Sequence, residues 1–74
     1  MNATQCKMAR AALGFGVRDL AKAAEVSPDT VARLERGGEL RATTIAAIRS
    51  ALESAGVEFL DADNGGAGVR LRKG

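Results

Sequence analysis

Histidine, tryptophan and tyrosine are absent from this sequence, and cysteine and proline each occur once. Without histidine the chain lacks the side chain most used for proton transfer near neutrality and for binding transition metals. Cys6 has no imidazole partner to activate it as a nucleophile, and no glycine-rich loop stands between a strand and a helix as a nucleotide site would require. These gaps point away from an enzyme: no catalytic residue, no cofactor and no metal ligand set is expected. A solitary cysteine excludes an internal disulfide and fits a reducing cytosol. Long apolar runs are missing too. No stretch approaches the roughly 18 apolar residues of a membrane helix, and the N-terminal segment has no signal-peptide pattern, so a cytoplasmic protein with no membrane partner is expected. Nor does one sign of charge dominate: 11 basic against 9 acidic side chains leave a net +2. Any contact with nucleic acid must therefore rest on a few placed Arg and Lys rather than on a broad field.

What remains is enough for one small core. The 74 residues are 46% hydrophobic but only 3% aromatic, with Phe15 and Phe59 the sole rings. A core of Ala, Leu, Val and Ile suits short helices packed closely. A first helix is expected from a Thr4 N-cap to Leu13, with Cys6, Ala9 and Leu13 on one face and Gly14 as the stop. Cys6 and Met8 are expected to fill space against a fourth helix. A two-turn second helix, about 17–24, places Leu20, Ala21 and Ala24 inward. The clearest start signal is Ser27-Pro28-Asp29: a capping hydroxyl, a proline at the first helical position and a carboxylate at the positive end of the dipole. It opens a third helix, about 28–36, with Val31 and Leu34 inward and Arg36-Gly37-Gly38 as the terminator.

Beyond the loop 38–42, Thr43 or Thr44 is expected to cap a longer helix running to about Ala55, with Ile45, Ile48 and Leu52 as its apolar stripe and Gly56 as its left-handed stop. Then the period changes. Val57 to Leu60 and Gly68 to Arg72 alternate apolar and polar residues as strands do, and Asp61 to Gly66 is rich in turn formers. The acidic spacing of Asp61 to Asn64 resembles the start of a calcium loop, but the downstream Glu is absent. The division expected is 1–56 as the helical domain and 57–74 as a strand-turn-strand tail, either a β-hairpin or disordered. Because an isolated hairpin is marginal, its strands are candidates for pairing with a second copy.

Two short helices joined by a tight turn, with small Ala21 inside the first and Val31 inside the second, make a helix-turn-helix from Val17 to Arg36. The segment from Leu20 to Gly37, LAKAAEVSPDTVARLERG, resembles the Cro/C1-type (Xre) pattern LAxxxGVSxxTIxxxERG. With Arg10, the helix around Thr44 to Ile48 and the segment Gly56-Val57-Glu58-Phe59, the resemblance spans nearly the whole chain. It implies a mostly α, four-helix phage-repressor-like domain, a structural ion pair between Arg10 and Glu35, and a homodimer on operator DNA. By the same resemblance Ser27, Pro28, Asp29 and Arg33 face the major groove, while Val17, Arg18, Arg36 and Thr43 flank phosphates.

The departures are specific. Gly16-Val17 stands where the family opens its second helix with Ser-Gln. Glu25 stands at the turn glycine. Pro28 and Asp29 stand where polar or basic readers are common, which leaves Arg33 as the one strong base reader, suited to guanine. These departures motivate an alternative: a protein-binding regulator, such as an antiactivator, an adaptor or an antitoxin, whose partner is a transcriptional activator or another protein rather than DNA alone.

Overall fold

In a computed structural model of the chain, residues 1–60 and 66–72 are described. The elements run α1 (Ala3–Leu13), α2 (Val17–Ala24), α3 (Pro28–Glu35), α4 (Ala42–Ser54), β1 (Val57–Leu60) and β2 (Gly68–Leu71). The mostly helical architecture expected from the sequence is present, and the tail is an ordered antiparallel hairpin. The expected turn and acidic run at 61–65 lie outside the described residues.

Most helix ends follow from local chemistry. Gly14 closes α1 at φ 70, and Glu25 closes α2 at φ 59 in the left-handed region where a glycine would be unstrained. For a residue with a Cβ that conformation costs on the order of 1 kcal/mol. Ser27 caps α3, its hydroxyl accepting from the Thr30 N–H at 3.1 Å. The end of α3 is satisfied by paired backbone bonds, Gly38 N–H to Arg33 O at 2.9 Å and Gly37 N–H to Leu34 O at 3.0 Å. Gly37 takes φ 83 to make them.

Two caps differ from expectation. Asn2, not Thr4, caps α1: its side chain accepts from Gln5 N–H at 2.8 Å while the Gln5 side-chain Oε1 accepts from Asn2 N–H at 3.0 Å. This reciprocal pair satisfies two end donors at once, which a lone threonine cannot do. At α4, neither Thr43 nor Thr44 is the cap. The helix begins at Ala42, Arg41 is the N-cap, and no side chain caps it. Alanine, the best helix former, extends the helix ahead of the threonines and leaves them inside its first turn.

The core is Cys6, Ala9, Leu20, Ala21, Ala24, Val31, Leu34, Ile48, Leu52 and Val57. Ala21 and Ala24 are small where α2 meets its neighbours, so the helices approach closely without large voids. Met1, rather than Met8, is the methionine packed against this cluster. Cys6 is buried in the cluster that includes Ile48 and Leu52 of α4, and its thiol also has a polar partner on α3: Sγ donates to Glu35 Oε2 at 3.3 Å.

The hairpin is held by its own chain. Val57 pairs with Leu71 and Phe59 with Val69, so these four side chains share one face of the ribbon. Val57 is fully buried, with Phe59 and Val69 packed against the core. The Gln5 amide nitrogen donates to the carbonyls of both Leu60 and Gly68 at 3.1 Å, one from each strand. Arg72 donates to the Glu53 carbonyl at 2.7 Å, and the Arg49 guanidinium stands 5.0 Å from the Phe59 ring centre. Leu60 and Leu71 remain exposed.

Replacing Gln5 by leucine leaves two strand carbonyls without that donor and removes half of the Asn2 capping box. The expected cost is about 1–3 kcal/mol. It should be read as a drop of several degrees in Tm and as amide exchange that accelerates at 57–60 and 68–71 before it does in α2 and α3. Exchange that rises equally everywhere would refute the clamp.

Candidate nucleic-acid interface

Whatever α3 presents to a ligand depends on how α3 is held. Arg10 of α1 grips Glu35 with two parallel bonds, Nε to Oε2 at 2.7 Å and Nη2 to Oε1 at 2.8 Å. Its remaining Nη1 donates to the Phe15 carbonyl in the link before α2, at 3.1 Å. Glu35 is 8% exposed, so the pair is shielded on the carboxylate side and its planar fork fixes direction as well as distance. The Arg10 guanidinium holds the Glu35 carboxyl below its ordinary range, with burial opposing and the Cys6 thiol assisting. Burial, reinforced by the bond to Glu35, pushes the Cys6 thiol up to about 12. Cys6 is thus a neutral donor in this cluster and has no thiolate to offer as a nucleophile.

With the far end of α3 fixed, its first turn projects outward. Ser27, Pro28 and Asp29 are exposed, and Thr30 is half-buried. Arg33 lies one turn further on and pairs loosely with Asp29, Nη2 to Oδ2 at 3.8 Å, with both side chains more than half exposed. Its aliphatic stem passes over Gly38. A Cβ at that position would lie 2.7 Å from Arg33 Cγ and 3.0 Å from the Arg33 carbonyl. The absence of a side chain at Gly38 therefore permits the stem's present path.

A groove of about 610 Å³ runs beside α3, where Ser27, Thr30 and Arg33 face Glu39, Arg41 and Thr44. Of the residues singled out from sequence, it brings together Ser27 and Arg33. Pro28 and Asp29 sit on the same helix but do not line the groove. Arg18 is exposed on the first turn of α2, Arg36 at the end of α3 and Thr43 near the start of α4. Val17 is half-buried and packs against the core. Sequence reasoning missed Thr30, Arg41 and Thr44. Arg41 had a local signal, a basic residue just ahead of an apolar helical stripe, but its approach to Arg33 depends on how the 37–41 link folds back.

The arrangement can make polar contacts and attract an anionic surface locally. The described residues contain no cluster of metal-ligating side chains, and none of their helices is long and apolar enough to cross a membrane. A family profile described as helix-turn-helix matches residues 7–59. No curated protein matches the chain.

The lowered carboxyl of Glu35 ties stability to acid. Its contribution is fully present above the ordinary value of 4.5 and is lost as pH falls through the lower folded-state value. Glu35→Gln should therefore cost about 1–3 kcal/mol at neutral pH, while Tm of this variant falls less steeply than wild type in acid titration. Parallel Tm curves for the two proteins below that value would show that the carboxyl is not the acid-sensitive group.

Proposed function

Because the chain belongs to the Cro/C1-type helix-turn-helix family of DNA-binding regulators, we propose that it is a cytoplasmic, repressor-like transcriptional regulator that binds a short inverted repeat as a homodimer. The observation that carries this reading is the exposed start of α3, Ser27 to Asp29, while Arg10 and Glu35 anchor the other end of the helix. Residues 1–56 supply the DNA-binding part. Ser27, Pro28, Asp29 and Arg33 enter the major groove; Arg18, Arg36 and Thr43 flank phosphates beside the N-terminus of α2 at Val17; Arg41 joins them from across the groove. Two copies of about 32 × 26 × 19 Å set side by side can place their α3 helices the roughly 34 Å apart that successive major grooves require. The hairpin, whose exposed Leu60 and Leu71 lie on opposite faces of the ribbon, offers its strand edge for that pairing.

The second reading, a protein-binding antiactivator, adaptor or antitoxin, is favoured by the exposed Asp29 carboxylate at the tip of α3, which repels phosphates. Salt separates the two. Retardation of a duplex from the protein's own promoter should weaken linearly in log salt, with a slope near −0.9 per phosphate contact. Arg33→Ala should cost about 1–3 kcal/mol and relax one base pair, whereas Arg36→Ala should weaken all sequences alike and reduce the slope by about 1. The complex should contain two protomers per duplex by analytical ultracentrifugation. Absence of retardation at low salt would leave only the protein-binding reading.

A further inference from the structure

We propose that Asp29 and Arg33 act as one two-charge reading element that selects a G·C base pair, with Gly38 as the positioning residue for Arg33. The inference rests on the DNA-binding reading and deepens it by naming the base composition recognised.

Four residues along a helix rise about 6 Å and return to the same face. Asp29 Oδ2 and Arg33 Nη2 accordingly lie 3.8 Å apart on the exposed side of α3. A guanidinium offers only donors, and an ionised carboxylate offers only acceptors. Across the major-groove edge of a G·C pair, guanine presents two acceptors, N7 and O6, and cytosine then presents the N4 donor. Arg33 over guanine and Asp29 over cytosine match that order. An A·T pair does not: it places the adenine N6 donor centrally and the thymine O4 acceptor and methyl beyond it. One of the two charges is then left desolvated without a partner, which discriminates far more strongly than a missing favourable contact.

Neither group is needed for the fold. Their side chains are 56% and 74% exposed, and an exposed pair one turn apart contributes little to stability. Asp29 would otherwise be a liability, because it places negative charge on the helix that approaches phosphates. As the acceptor half of a reader, it also restrains Arg33 from turning to the nearest phosphate and keeps the guanidinium at the base edge. Gly38 leaves the room that this path of the stem needs, since any Cβ there would collide with Arg33 Cγ.

The test uses the full chain and a pool of duplexes with a randomised central segment. Wild-type protein enriches a sequence from the pool. Affinity is then measured for that duplex with each base pair exchanged in turn, for wild type, Asp29→Asn, Arg33→Lys and Gly38→Ala. Wild type should require G·C at one position in each half-site, with a loss of roughly tenfold to a hundredfold on exchange to A·T. Asp29→Asn should bind the pool at least as tightly at low salt but lose discrimination at that position. Arg33→Lys should weaken the guanine preference, and Gly38→Ala should do the same at that position alone, with a small fall in Tm because its Cβ meets the Arg33 carbonyl as well as the stem. Should Asp29→Asn keep the wild-type base profile, Asp29 is only a favourable residue at a helix start and the proposal falls, while DNA binding stands. Should wild type enrich nothing and show no salt-dependent binding, the DNA-binding reading falls with it.

Discussion

The Arg10–Glu35 pair ties α1, the end of α3 and the link before α2 at fixed angles, beside the core packing and the Cys6–Glu35 bond. Arg10 has three nitrogens committed, two to the last residue of α3 and one to the main chain before α2. The outer surface of α3 is consequently free of structural duties, and its first turn can carry almost any side chain the helix tolerates. Such a pair contributes little net stability when compared with apolar residues of the same shape, but losing either partner alone is costly. Its value here is geometric. In a core of small aliphatic side chains, with no large ring among the fully buried ones, van der Waals packing alone would permit helices to slide. A bidentate guanidinium–carboxylate contact does not slide.

Local chemistry made much of the fold legible. Gly14, Ser27-Pro28 and Gly37-Gly38 announce helix ends because the backbone demands of those ends are short-range. The inward faces of α2 and α3 follow from helical spacing. The left-handed turn at Glu25 was readable only beside the family pattern, where a glycine usually stands. Misreadings arose where two local signals compete. Asn2 with Gln5 outdoes Thr4 because the box satisfies donors in both directions, and Ala42 draws α4 past the threonines.

What the sequence could not disclose lies at long range. Gln5 reads as an ordinary polar residue of an exposed helix, and only the return of the chain 55 and 63 residues later gives its amide two carbonyls to hold. The same is true of Cys6, whose partner lies 29 residues away. On the exposed side, the groove between α3 and the start of α4 combines residues whose proximity depends on the 37–41 link. Arg33 could be named from its place in the helix, but the path of its stem over Gly38 could not.

Gln5 grips the hairpin by main-chain oxygens, and main-chain oxygens are the same whatever side chains the strands carry. The positions pointing away from the core, Glu58, Leu60 and Arg70, are therefore uncoupled from the docking that keeps the ribbon in place. Mutation can recolour that outer face with new charge, apolar area or a different complement of hydroxyls while the ribbon stays seated. The molecule thus carries an adaptable surface mounted on an invariant fastening, on a different element from the helix that faces outward at α3.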